Sequence, residues 1–264
     1  MHSRRNAPIP ASTSGCRTGD RVVWGVRKAR KAAALATRPA WRRGLLHGVA
    51  ATVEHLPLES MIRPRTVIDV GANKGQFTLF ALEAFPECEV IAFEPLPRPA
   101  ARFRKAVGSY GRATLVQAAI GPEEGEAEIR ISTREDSSSF LPIANRMTDV
   151  FPEARASGMT VPVRVGRLAT FVNPADLVAP ILLKLDVQGF ELDALKGCQD
   201  LMPQIEYIYV ECSYLALYEG QALISDVRSY LVSKHYELRA EINIVKRPGI
   251  GSVQSDCLFT AKHE

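Results

Sequence analysis

Hydrophobic positions along the chain fall into short runs separated by turn residues, and their period switches repeatedly between two and about 3.6 after residue 64. The run "TVIDV" is apolar but for one carboxylate and a threonine, and predicts a buried strand. "GQFTLFALEAF" has helical spacing and ends before Pro86, and "EVIAFEP" predicts a second strand stopped by Pro95. A helix entered through Pro99 covers "PAARFRKAVGSYG", and "ATLVQAAIG" predicts a third strand. "EAEIRIS" alternates with period two, the pattern of an edge strand. Residues 133–180 are loop-rich, with a strand and a helix start in "MTVPVRVGRLATFV". "ILLKLDV" and "IEYIYVEC" predict two further buried strands around a helix over "FELDALKGCQDL". A helix over "ISDVRSYLVSKH" precedes two closing strands, "YELRAEINIV" and "SDCLFTAK".

Strands alternating with helices in this way predict an α/β fold with a doubly wound, mostly parallel sheet. The last two strands are too close for a crossover helix and should form an antiparallel hairpin at one edge. Such sheets bind ligands outside the carboxyl ends of their strands, where the strand order reverses. That rule gathers Asp69, Gly71, Asn73, Gly75, Glu94, Gln117, Ala118, Asp186 and Glu211 on one rim. Ahead of this domain, assigned to residues 61–264, residues 1–20 read as a disordered basic tail. Residues 21–60 read as a helical lead-in broken at Pro39.

Composition narrows the class. The chain has 264 residues, 46% hydrophobic and 23% charged, enough for one sizeable domain and an appendage. No window approaches the ~18 uninterrupted apolar residues of a membrane span. Cys16, Cys88, Cys198, Cys212 and Cys257 show no C-x-x-C spacing, which argues against a zinc knuckle and fits a reducing cytoplasm. The net charge of +4 hides an asymmetry, since residues 1–43 carry eleven basic side chains against the single acid Asp20. The body is therefore mildly acidic, a poor match to a phosphate backbone, and no nucleic-acid partner is expected. The lead-in could pack on the main domain as an amphipathic segment, form a solvated helical cap, or offer a basic surface for peripheral contact with anionic membrane or with nucleic acid, and no apolar core of a signal peptide follows it.

The turn "DVGANKG" selects among nucleotide ligands. It lacks the G-x-x-x-x-G-K-[ST] spacing of a phosphate loop. Asn73 stands where a dinucleotide fold needs its second glycine, and Asp69 would repel a pyrophosphate. S-adenosylmethionine has no phosphate and carries an ammonium that Asp69 can help hold. Gly71 and Gly75 would let the backbone approach it, Glu94 would accept bonds from ribose hydroxyls, and Gln117 and Ala118 would meet adenine.

The blocks "VIDVGANKGQFTLFALEAFPECEVIAFEPLP", "ILLKLDVQGFELDALKG", "YVECSYLALYEGQ" and "SDCLF" resemble the FkbM family of S-adenosylmethionine-dependent methyltransferases, from about residue 65 to 261. The resemblance implies a class I, Rossmann-like methyltransferase fold and O-methylation of a hydroxyl on a sugar, glycolipid or other natural product. One departure is Ala169, which stands where the family often has an aspartate.

Methyl transfer to a hydroxyl needs in-line alignment and a group to remove the proton. No histidine among His2, His47, His55, His235 and His263 follows the carboxyl end of a strand, so a catalytic histidine is not expected. Asp186 and Glu211 end buried strands and are the candidate base or orienting groups, with Lys184 as their neutralising partner. A divalent metal on Asp186, Glu191 and Glu211 is chemically conceivable, but no spacing requires one. Ser137, Ser138 and Ser139, together with Glu191 and Tyr214 or Tyr218, are the candidate contacts to a small-molecule or glycan acceptor. Two other readings remain open: a nucleic-acid methyltransferase, which lacks its usual Asp-Pro-Pro-aromatic tetrapeptide here, and a cofactor-binding module without chemistry.

Overall fold

A computed structural model describes residues 38–262, so the expected tail and most of the basic front lie outside the described residues. The elements, in chain order, begin with helix α1 (Pro39–Leu46), strand β1 (Thr66–Val70), α2 (Gln76–Ala84), β2 (Glu89–Phe93) and α3 (Pro97–Val107). There follow β3 (Ala113–Val116), β4 (Ala119–Ile120), β5 (Gly125–Ser132), α4 (Asn145–Val150) and β6 (Ala156–Gly166). The chain closes with β7 (Ile181–Leu185), α5 (Glu191–Gly197), β8 (Tyr207–Ser213), α6 (Ile224–Ser233), β9 (Tyr236–Arg247) and β10 (Gly251–Ala261).

Seven strands form the main sheet in the order β3-β2-β1-β7-β8-β10-β9. Neighbours from β3 to β8 run parallel, and β10 is antiparallel to both β8 and β9. The order reverses beside β1, whose partners are β2 on one side and β7 on the other. All five residues of β1 and all five of β7 are buried, because helices cover both faces. This is the class I, Rossmann-like arrangement with an antiparallel edge hairpin.

One expectation is corrected here. "ATLVQAAIG" is not one strand: the chain leaves the sheet after Val116, and Ala119 and Ile120 join a separate three-stranded sheet ordered β4-β6-β5. "EAEIRIS" does lie at an edge, but of this smaller sheet. Gln117 and Ala118 sit in the gap between the two.

Two apolar layers sandwich the main sheet. One packs Phe77, Phe80, Phe103 and Tyr209 together with Trp41 and Leu58 from ahead of β1. The other joins Phe93, Leu195, Ile208, Leu231 and Phe259. Trp41 is fully buried and donates its ring N–H to the Leu79 carbonyl at 2.9 Å, so α1 packs into the core rather than over the surface. Among the described residues no helix is long and apolar enough to cross a membrane.

Candidate active site

The carboxyl ends of β1, β2 and β7 meet at a turn that only glycine allows. Gly71 has a φ of 81°, and a Cβ there would lie 1.9 Å from the Asp186 carbonyl oxygen. Gly75 also has a positive φ, but an added Cβ would meet Val107 and Phe103 at 2.6 and 3.0 Å. Its role is to admit α3, not a ligand, and it does not line the cavity, which corrects the expectation for it.

Asp69 behaves differently from its expected part as an ammonium cradle. It is fully buried, accepts a hydrogen bond from the Thr78 hydroxyl at 2.7 Å and pairs with the Lys184 ammonium at 3.2 Å. It does not line the cavity. Lys184 is opposite it in the β1–β7 register, donates to the Gly71 carbonyl at 3.4 Å and lies 3.8 Å from Asp186. Burial pulls the Lys184 pKa down, and the Asp69 and Asp186 carboxylates more than offset it, so the net shift is upward. A charged, triply engaged ammonium is no proton acceptor. Lys184 ties the strand ends together, and its main partner is Asp69 rather than Glu211.

Glu94 ends β2 and is 94% shielded, yet it lines the cavity. Its two oxygens accept the N–H groups of Asn73 and Leu96 at 2.9 and 2.7 Å, and burial pushes its carboxyl up to about 7. Each oxygen keeps a second lone pair for a ligand. Asn73 has a φ of 50° and a buried side-chain carbonyl with no protein partner. Ala118 also lines the cavity. Gln117 does not, because its side chain turns out to accept a bond from Arg104 at 3.0 Å.

Beside β7 and β8 the floor is a carboxylate–amide network. Gln188, with a φ of 55°, donates to Asp186 at 2.7 Å and to Glu211 at 3.4 Å. Gln254 on β10 donates to the same Glu211 oxygen at 2.8 Å. Burial, together with the neighbouring Asp186, Asp256 and Glu191, pushes the Glu211 carboxyl well above its usual range. Glu191 is 3% exposed and accepts the N–H groups of Gly189 and Val187 at 3.0 and 3.2 Å. It braces the loop from behind and does not line the cavity, so its expected contact with an acceptor is corrected.

Ser137, Ser138 and Ser139 all line the cavity. Ser139 donates to the Gln188 carbonyl at 2.6 Å, Ser138 accepts the Ser132 N–H, and the buried Tyr218 hydroxyl reaches the Ser137 carbonyl at 3.1 Å. The serine loop is thus fastened to the floor. Tyr214 points away from the cavity and donates to Glu241, which removes it from the acceptor contacts. Ala169 is exposed and off the cavity, so the missing acid leaves this lining unchanged. Among the described residues, no group of three His, Cys, Asp or Glu side chains is arranged to hold a metal ion.

These walls enclose a cavity of about 1160 Å³. Its lining includes Gly71, Asn73, Glu94 and Ala118, the serine loop, residues 52–56 and residues of the β9–β10 hairpin. The lining also holds residues that the sequence alone did not single out as site residues: Thr52, His55, Asn243, Gln254 and Asp256. Asp256 lies in the block "SDCLF", which carried a signal. His55 carried none, because it follows no strand.

A family profile described as the methyltransferase FkbM domain matches residues 69–238. The chain is 30% identical over 182 residues to the 2-O-methyltransferase NoeI of Sinorhizobium fredii, covering 66% of this chain and 73% of that one. It is 29% identical over 181 residues to the 31-O-demethyl-FK506 methyltransferase FkbM of Streptomyces tacrolimicus, covering 57% and 66%. Among solved structures, magnesium protoporphyrin IX methyltransferase (ChlM) from Synechocystis PCC 6803 with bound S-adenosylmethionine aligns over 78% of this chain and 74% of its own. Its TM-score is 0.45, at 10% identity.

Proposed function

The chain belongs to the FkbM methyltransferase family, and on that premise we propose that it transfers a methyl group from S-adenosylmethionine to a hydroxyl of a sugar, glycolipid or other polar natural product. The observation that carries this reading is one cavity lined both by Asn73, Glu94 and Ala118 and by Asp186, Glu211, Ser137, Ser138 and Ser139. The unpartnered Asn73 carbonyl and the remaining lone pairs of Glu94 suit a ligand that brings an ammonium, ribose hydroxyls and no phosphate. Glu94 and Asn73 would hold it, and the buried Ala118 would pack against its base.

Bound there, the cofactor supplies an electrophilic methyl on a sulfonium. The chain's own residues position the acceptor. Asp186 and Glu211, held in place by Gln188 and Gln254, present oxygens from which a hydroxyl can be oriented. Two relatives carry O-methylation in their names, which favours an oxygen acceptor.

Calorimetric titration of S-adenosylhomocysteine into wild type and Glu94→Ala tests the cofactor half. Micromolar binding in wild type, weakened tenfold or more by the substitution, is expected. Wild type that binds neither this product nor S-adenosylmethionine would overturn the proposal. Transfer of labelled methyl to 4-nitrophenyl glycosides tests the acceptor half.

A further inference from the structure

Part of the cavity lining, residues 52–56, comes from ahead of the residues that match the family, and it carries an imidazole. His55 lines the cavity with its side chain 12% exposed. Its Nδ1 is within hydrogen-bond reach of the Tyr209 hydroxyl at 2.9 Å and the Asn243 amide at 3.3 Å, and lies 3.6 Å from the Asp256 carboxylate. Asn243 on β9 donates to that same Asp256 oxygen at 2.7 Å. The ring is wedged edge-on against Phe77, Phe80 and Tyr209, with centroids 5.2, 5.8 and 5.4 Å away, which fixes its plane. A second observation marks the wall as a ligand surface: the hydroxyl of Thr52, also on the cavity, is buried without a protein partner.

We propose that His55 takes the proton from the acceptor hydroxyl, with Asp256 as its positioning residue and Thr52 binding the acceptor on the same wall. The inference rests on the methyltransferase reading above. A carboxylate behind one ring nitrogen holds the imidazole's orientation and stabilises its protonated form. Asp256 does this from β10 through the Tyr209 hydroxyl and the Asn243 amide, which it shares with the ring. It lies directly across the ladder from Glu211, so the imidazole and the carboxylate floor border the same space. In the step, the hydroxyl O–H bond breaks and an N–H bond forms on the ring. The oxygen's electron pair would then form the C–O bond as the methyl's bond to the donor sulfur breaks, leaving a neutral thioether, and the proton passes to water after the product leaves.

The surroundings set the charge balance. Tyr209 stays protonated, because burial and the Asp256 carboxylate push its phenol far above the usual range. Burial pushes Asp256 up to about 6, with Asp186 adding to the rise, while Asn243, Tyr209 and Lys184 oppose it. Asp256 is therefore ionised in the neutral range, where an imidazole can cycle its proton.

The test follows the His55 imidazole resonance of the full chain between pH 5 and pH 9 with S-adenosylhomocysteine present, assigned by its loss in His55→Gln. Labelled-methyl transfer to 4-nitrophenyl glycosides is measured in parallel. The expected resonance titrates in this range, and its midpoint falls by a unit or more in Asp256→Asn. His55→Gln should bind S-adenosylhomocysteine within threefold of wild type, yet lose about 100-fold or more in kcat together with the acidic limb of the pH profile. A purely structural imidazole would leave that limb in place. A ring that does not titrate, a midpoint indifferent to Asp256→Asn, or a kcat within threefold of wild type would each overturn the inference. If no glycoside accepts methyl, the resonance alone decides. Wild type that fails to bind S-adenosylhomocysteine would instead break the underlying reading, so the two failures are told apart.

Discussion

Asp69 and Asn73 exchange the parts that residue type suggests for them. The carboxylate is the obvious partner for an ammonium, yet it spends both oxygens on Thr78 and Lys184 inside the sheet. The amide, which stands where a dinucleotide turn needs glycine, offers the unpartnered oxygen. Its left-handed backbone, φ 50°, is one that asparagine tolerates better than most residues. Asn73→Gly keeps that conformation and deletes the oxygen. It should weaken S-adenosylhomocysteine about tenfold, the worth of one hydrogen bond, while the melting temperature moves by only a few degrees. Unchanged affinity would remove Asn73 from the binding lobe.

The loop between β7 and α5 shows how an element stores pH dependence. Gln188 and Gly189 both have positive φ, and Glu191 caps this strained turn by accepting two of its N–H groups. Burial raises the Glu191 carboxyl from 4.5 to about 7, so the folded protein favours its neutral form. The stability it contributes is full below pH 4.5 and is lost as pH rises through about 7. Glu191→Gln keeps the acceptor oxygen without the charge. Urea unfolding should therefore show a flatter decline from pH 5 to pH 8 than wild type, by up to about 3 kcal/mol. An equal decline in both proteins would contradict the buried-acid account. At this scale the sequence was legible in part. Although β8 runs two residues past Glu211, the residue expected to end it, the strand ends just before Glu94 and Asp186 are readable from runs closed by an acid, and the serine loop from its composition. The split between β3 and β4 is not, since "ATLVQAAIG" has no breaker residue inside it. Nor are the places of Tyr214 and Tyr218, neither of which lines the cavity: packing pairs one with Glu241 and the other with the Ser137 carbonyl.

Across the whole molecule, the described part of the lead-in ahead of β1 is tied to the main domain. Trp41 anchors it by filling the layer against Phe80 and bonding to the Leu79 carbonyl. Trp41→Ala should cost about 3–5 kcal/mol, read as a drop in the urea midpoint, because it empties a large site in a packed core. A loss below about 1 kcal/mol would mean that the segment is merely laid on the surface. By itself the sequence determined a doubly wound, mostly parallel sheet, the edge hairpin and the family, because hydrophobic period, turn residues and motif spacing are local properties of the chain. Only the tertiary structure decided which polar groups meet. Asp69 turns inward to Lys184, and His55 arrives from outside the motif to stand beside Asp256, 201 positions further along the chain. Contacts of that separation depend on how layers pack around the sheet, and no local pattern encodes them.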